Sequence, residues 1–329
     1  MMKRRLGLFF LFLFFFSGVA SLEARDGSSQ KALSHYIRAG IYERLDELDE
    51  AVGEYKAALK VDYSSPQIHL RVAVALLKQN QLSPAADELK LAIKYYETQE
   101  NLPAEESSFI EAHTLLALVY SLQGKKDLAT AEYETALRGV LAIDPQNILI
   151  HKSLGQVYLQ QKKLSDAEKT YRFILELAPS DSEAYFYLGN IYEEQGKRNE
   201  AIEEFKTALK FNPDYPDALN SLGYLYAEES INLEEAEEML KKALIYEPQN
   251  GAYIDSLGWI HFKQGRYEEA IQELEQAVGF LSDPVIYEHL GDAYLKQNNL
   301  IKARENWQKS LEIDSKENLR VKEKLERNK

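Results

Sequence analysis

The chain of 329 residues contains no cysteine, which excludes disulfides, thiol catalysis and zinc–cysteine sites. Glycine and proline are sparse, at 16 and 9 residues. That disfavours β-rich architecture and favours long helices. There is no Gly-rich phosphate loop, no Gly-x-Ser-x-Gly turn and no His-Glu-x-x-His pair, so nucleotide, serine-hydrolase and zinc-protease chemistry lack their motifs. Positive charge is short as well: 39 Lys and Arg face 53 Asp and Glu, a formal charge of −14. No basic stripe offsets it, and such a surface repels nucleic acid. The 45% hydrophobic and 28% charged content is that of a folded soluble protein.

What the chain has instead is a period. With Ser182 as position 1, large residues fall at Tyr185, Leu188, Tyr192 and Phe205, and small ones at Gly189, Ala201 and Ala208. Spacings of three and four put these on one helical face. Gly196, at position 15, supplies a left-handed helix end, and Pro213 stops a second helix. Gly189 and Ala201 let the two helices approach closely. The frame recurs with starts at Ala32, Pro66, Ile110, Ile148, Pro216, Gly251 and Pro284, with one residue inserted near Ser230–Asn232. Eight units therefore run from about residue 32 to 315 at the ~34-residue spacing of a repeat array.

This pattern resembles the tetratricopeptide repeat (TPR). The units from 148 onward match it closely; those at 32 and 66 lack Gly at position 8 and Pro at position 32. The resemblance implies an all-α fold, a right-handed superhelical solenoid of about eight helix-turn-helix units. Units 1–2 are expected at 32–99, a linker at 100–109 where the period breaks, and units 3–8 at 110–315. A charged capping helix is expected at 316–329, with Leu319 and Leu325 covering the last unit, since terminal repeats need a polar outer face.

The N-terminus is read apart from the fold. Lys3, Arg4 and Arg5 precede an uncharged run from Leu6 to Leu22, with small residues at Gly18, Ala20 and Ala24. This is the pattern of a signal peptide, so 1–24 is expected to direct export to the periplasm. The alternative is an uncleaved segment anchoring the chain in the inner membrane; the run falls just short of the ~18 residues of a span.

Four histidines, His35, His69, His113 and His151, occupy position 4 of units one to four. Stacked helices lie about 8–10 Å apart, too far for neighbouring rungs to share one ion at ~2 Å. They are read as packing residues, and no metal or cofactor is expected. The carboxylate runs read as solvated helix faces, so no enzymatic activity is expected.

In the resembled family, positions 2, 5, 9 and 12 of the first helices line a concave, peptide-binding face. Here they give an acidic groove with aromatic floors. Phe186, Tyr187, Tyr224, Trp259 and Phe262 are the candidate anchors, with Trp259 expected to be partly exposed. Asn190 and Asn220 are candidates for holding a peptide backbone, and Asp255, Glu288 and Asp292 for attracting Lys or Arg. A carboxylate clamp is disfavoured, because Asp217 stands where that clamp needs a base. The resulting expectation is a non-enzymatic scaffold that binds basic or mixed-charge polypeptide segments, in envelope assembly or secretion. The alternative is a regulatory or targeting subunit of a membrane-associated envelope enzyme. Membrane contact is expected only through an uncleaved N-terminus.

Overall fold

The computed structural model describes residues 27–98, 107–314 and 318–328. The candidate signal segment, most of the 100–109 linker and residues 315–317 lie outside them. All described elements are α-helices: α1 (Gly27–Arg44), α2 (Leu48–Leu59), α3 (Pro66–Lys78), α4 (Leu82–Thr98), α5 (Ser107–Leu122), α6 (Lys126–Ile143), α7 (Ile148–Gln160), α8 (Leu164–Leu177), α9 (Ser182–Glu194), α10 (Arg198–Phe211), α11 (Pro216–Glu229), α12 (Leu233–Tyr246), α13 (Gly251–Lys263), α14 (Tyr267–Phe280), α15 (Pro284–Lys296), α16 (Leu300–Ile313) and α17 (Leu319–Arg327). They fall into two compact units, 1–162 and 163–329.

The turn chemistry fixes the frame. Position 15 has a positive φ in all eight repeats: Gly124, Gly196 and Gly265 at +73° to +79°, and Asp46, Asn80, Lys162, Ser230 and Asn298 at +55° to +63°. A left-handed residue ends the first helix and turns the chain back in two or three residues. Five repeats tolerate that conformation without glycine, at a cost that is smallest for Asn and Asp. Helix starts are capped by side chains: Asp181 accepts from the Ala184 N–H at 2.9 Å, Asn250 from Ala252 at 3.0 Å, and Asp283 from Val285 at 2.8 Å.

In the first unit, α1 packs on α2, α3 on α4 and α5 on α6. Leu89, Ile93 and Tyr96 of α4 share one core with Leu116, Val119 and Tyr120 of α5, so α4 and α5 are packed neighbours on either side of the expected linker. Residues 107–109 of that linker already belong to α5.

In the second unit the hairpins are α9–α10, α11–α12, α13–α14 and α15–α16. Their close approach is set by small residues. A Cβ on Gly189 would lie 2.5 Å from the Phe205 ring, and one on Gly258 2.8 Å from Leu274. The C-terminal helix is present as expected, but the residue that anchors it differs. Val321 is fully buried in the core formed by Ile286, Leu290 and Trp307, with Leu325 packed beside it, while Leu319 is 64% exposed. Leu319 is the first residue of α17, two residues before Val321 and on the opposite face of the helix.

Candidate partner-binding surface

The position-5 and position-9 stripe of the second unit is built from the first helices α9, α11, α13 and α15. Its buried members, Phe186, Asp255, Trp259 and Glu288, serve as the seam between successive repeats. Trp259 is 8% exposed, not the partly exposed anchor its sequence position suggests. Its indole stacks on Phe262 (4.6 Å, 5°) and on His289 of the next repeat (4.0 Å, 13°). Its Nε1 donates to Glu228 Oε1 at 2.8 Å, and the Lys263 ammonium lies 5.0 Å from the ring centroid. Asp255 is buried and lies 2.9 Å from His289 Nδ1. Phe186 is also buried, 5.0 Å from Tyr215 and 5.9 Å from Phe205.

At the end of the stripe the acidic pair is neutralised from within. Glu288 is 1% exposed and receives Arg320 Nη2 at 2.7 Å and Lys324 Nζ at 2.6 Å; Lys324 also reaches Asp292 Oδ2 at 2.5 Å. Burial alone would raise the Glu288 carboxyl, but the two cations of α17 hold it below the usual range. Asp292 accepts the Trp307 indole N–H at 3.0 Å as well.

What stays accessible lies further back, on α9 and α11. Asn190, Glu193, Asn220, Tyr224 and Glu228 are half-buried. Tyr187 is half-buried too and stacks on Tyr171 at 4.9 Å. Burial pushes the Glu193 carboxyl up, and Glu228 adds to this while Arg198 opposes it. Burial likewise raises the Tyr224 phenol, helped by the charges of Glu228, Asp255 and Glu193 against Arg320. Both directions report burial first, with nearby carboxylates adding to it. Asn220 Oδ1 is buried without a hydrogen-bond partner. An orphaned acceptor of this kind costs ~1–3 kcal/mol.

The position-4 histidines have partners that the sequence reading missed. His35, His69 and His113 each place Nδ1 2.6–2.7 Å from a glutamate of the same hairpin, Glu54, Glu88 and Glu132, always 19 residues on. That fixed interval was visible in the sequence. No three acidic or histidine side chains among the described residues are grouped as metal ligands.

Family models of the tetratricopeptide repeat match residues 38–100, 122–188, 229–284 and 285–317, and a TPR repeat model matches 190–229. The chain belongs to the tetratricopeptide repeat family. Proteins of this family are in general scaffolds for protein interaction. A TPR repeat-containing protein of Pseudomonas aeruginosa is 38% identical over 58 residues, 18% of this chain and 10% of the relative; the match spans only a tenth of that protein. A solved tetratricopeptide repeat protein from Parabacteroides merdae superimposes with a TM-score of 0.58 at 19% identity, covering 80% of this chain and 98% of the other. The type IV pilus biogenesis factor PilW gives 0.51 at 20% identity, over 64% of this chain and 95% of that one. At such identities the likeness is one of fold.

Proposed function

We propose that this TPR chain is a non-enzymatic scaffold of the bacterial envelope, and that it holds a Lys- or Arg-bearing polypeptide segment against α9 and α11. The observation that carries the reading is a cluster on adjacent helices, where half-buried Glu193, Glu228 and Tyr224 stand near the half-buried amide of Asn220. A partner's ammonium or guanidinium would meet the carboxylates and the ring, and a partner backbone would meet the accessible part of the amide. Each exposed charge pair would contribute little, roughly 0–1 kcal/mol, so salt would weaken binding without abolishing it.

The envelope setting rests on Lys3–Arg5 and the uncharged run that follows. PilW, a pilus biogenesis factor, is a precedent for this fold in such work. N-terminal sequencing of the protein from its host is expected to find Ser21 or Arg25 first; an intact Met1 on soluble cytoplasmic protein would refute export. For the groove, a photo-crosslinking amino acid at position 224 is expected to capture a basic or mixed-charge segment. Glu193→Lys combined with Glu228→Lys should abolish that capture, and a crosslinker at Lys197 should not reproduce it. An acidic captured segment, or capture indifferent to the charge reversals, would reject the reading.

A further inference from the structure

The first helix of the array differs from every later first helix. At position 10 the later repeats hold Ala75, Val119, Val157, Ile191, Leu225, Ile260 and Ala293, all 0–4% exposed. In α1 the same position holds Ile41, 51% exposed. Ile37, one turn before it, and Leu45, just past the helix end, are exposed too. Residues four apart share a helix face, so the three form one aliphatic stripe. The other exposed residues between Gln30 and Leu45 are Gln30, Lys31, Ser34, Arg38 and Arg44, with no carboxylate among them. Glu43 is turned away and pairs with Lys78 at 2.7 Å; the next exposed carboxylate is Asp46, in the turn to α2. Arg38 lies 3.4 Å from Glu54 while staying half exposed. Lys31 and Arg44 form no ion pair among the described residues.

We propose that this face of α1 lies on an anionic lipid surface, with Ile37, Ile41 and Leu45 entering the headgroup boundary and Lys31, Arg38 and Arg44 contacting lipid phosphates. The proposal is independent of the groove. An aliphatic stripe bordered by basic residues is the signature of a helix lying in a membrane interface. On a chain of charge −14, Lys31, Arg38 and Arg44 along this stripe favour an anionic surface, with exposed Asp46 and Glu47 only beyond Leu45. No helix among the described residues is long and apolar enough to cross a bilayer, so α1 would rest on the surface and not enter it.

The cysteine-free chain makes the test clean. Mature protein beginning at Ser21 and carrying Ile41→Cys, labelled with an environment-sensitive fluorophore, is mixed with vesicles of phosphatidylglycerol and phosphatidylcholine, or of phosphatidylcholine alone. With the anionic vesicles the emission is expected to shift to the blue and to be quenched by a lipid-borne quencher. Lys31→Glu combined with Arg44→Glu should lower the ratio of quenched to unquenched label about thirtyfold or more, at ~1 kcal/mol per basic residue lost. A label at Gly53→Cys, exposed on α2, should stay water-like, and Ile37→Cys should repeat the result for Ile41→Cys. A water-like label at position 41 on vesicle-bound protein would overturn the proposal. So would an equal response to neutral vesicles. A blue shift without lipid that grows with protein concentration would instead assign the face to a second copy.

Discussion

Gly291→Ala should weaken the second unit, against the helix-forming advantage of alanine. A Cβ at this position would lie 2.5 Å from Cδ1 and Nε1 of Trp307 and 3.0 Å from the Ala303 carbonyl oxygen. The indole cannot swing clear, because it is fully buried and its Nε1 is held by Asp292 at 3.0 Å. The carbonyl belongs to the backbone of α16 and moves only with that helix. Overpacking of this sort costs about 1–3 kcal/mol, and alanine returns about 1 kcal/mol over glycine in a helix. The net is a loss of up to about 2 kcal/mol, towards the upper end because both neighbours are fixed. Gly279→Ala is the control. It is the same change on α14, exposed, with nothing within 4 Å of the added carbon, and it should gain roughly 0.5–1 kcal/mol. Urea denaturation followed by tryptophan emission reads both, since Trp259 and Trp307 both lie in this unit. If Gly291→Ala is as stable as Gly279→Ala, the close approach of α15 and α16 is not what requires glycine, and the packing argument fails.

Three further outcomes are expected. Burial alone would lower the His69 imidazole, but Glu88 and the Tyr63 carbonyl outweigh it and raise it above 6.5; its stabilisation is complete below 6.5 and lost as pH rises through the higher folded value. Thermal midpoints from about pH 6 to pH 8 should therefore fall for the native chain and stay flatter for His69→Gln. Lys324→Met strips one of two cations from buried Glu288 and should cost up to about 3 kcal/mol; Lys324→Met with Glu288→Gln should recover part of it, and an unchanged single variant would show that α17 is not fastened there. Ser230→Gly relieves a left-handed serine at φ +55° and should raise the urea midpoint by about 1 kcal/mol equivalent; a lower midpoint would mean that the serine side chain has a role in the turn.

The fold was legible because its signal is periodic and local. Position 15 turns left-handed whether it carries Gly196, Asn298 or Ser230, and the small residues Gly189, Gly258 and Gly291 mark helix contacts wherever they recur. Exposure along the inner stripe was not legible, because it depends on a residue one repeat away. Trp259 is closed off by His289, and nothing at positions 255–262 announces a ring arriving 30 residues later. Leu319 looked like the capping contact because it opens the helix, yet the inward face of α17 begins at Val321. The His–Glu pairs were missed for a different reason. Histidine was tested as a metal ligand against its neighbours in other repeats, while its partner sat across its own hairpin.

The same stripe has two tasks, and that decides which substitutions can report on binding. Phe186, Asp255, Trp259 and Glu288 are buried and join one first helix to the next or to α17. Truncating any of them opens the seam between repeats. Trp259→Ala would remove a stacked indole and leave Glu228 without its donor, a loss of about 3–5 kcal/mol for the deleted ring alone. A partner would then bind less well because the surface that presents it had shifted, whether or not Trp259 touched it. Glu193, Asn220 and Tyr224 carry no such burden. They are half-buried, Glu193 is raised by burial and a like charge, and Asn220 Oδ1 has no partner to lose. Asn220→Asp tests the point at a single atom group. It keeps the shape of the side chain and an acceptor at the orphaned position but adds negative charge. If a basic segment docks there, the variant should bind at least as tightly and with a steeper salt dependence while the urea midpoint holds or falls slightly. Weaker binding in a fully folded Asn220→Asp protein would mean that the partner approaches this site with a carboxylate or an acceptor, and the charge argument for α9 and α11 would be wrong.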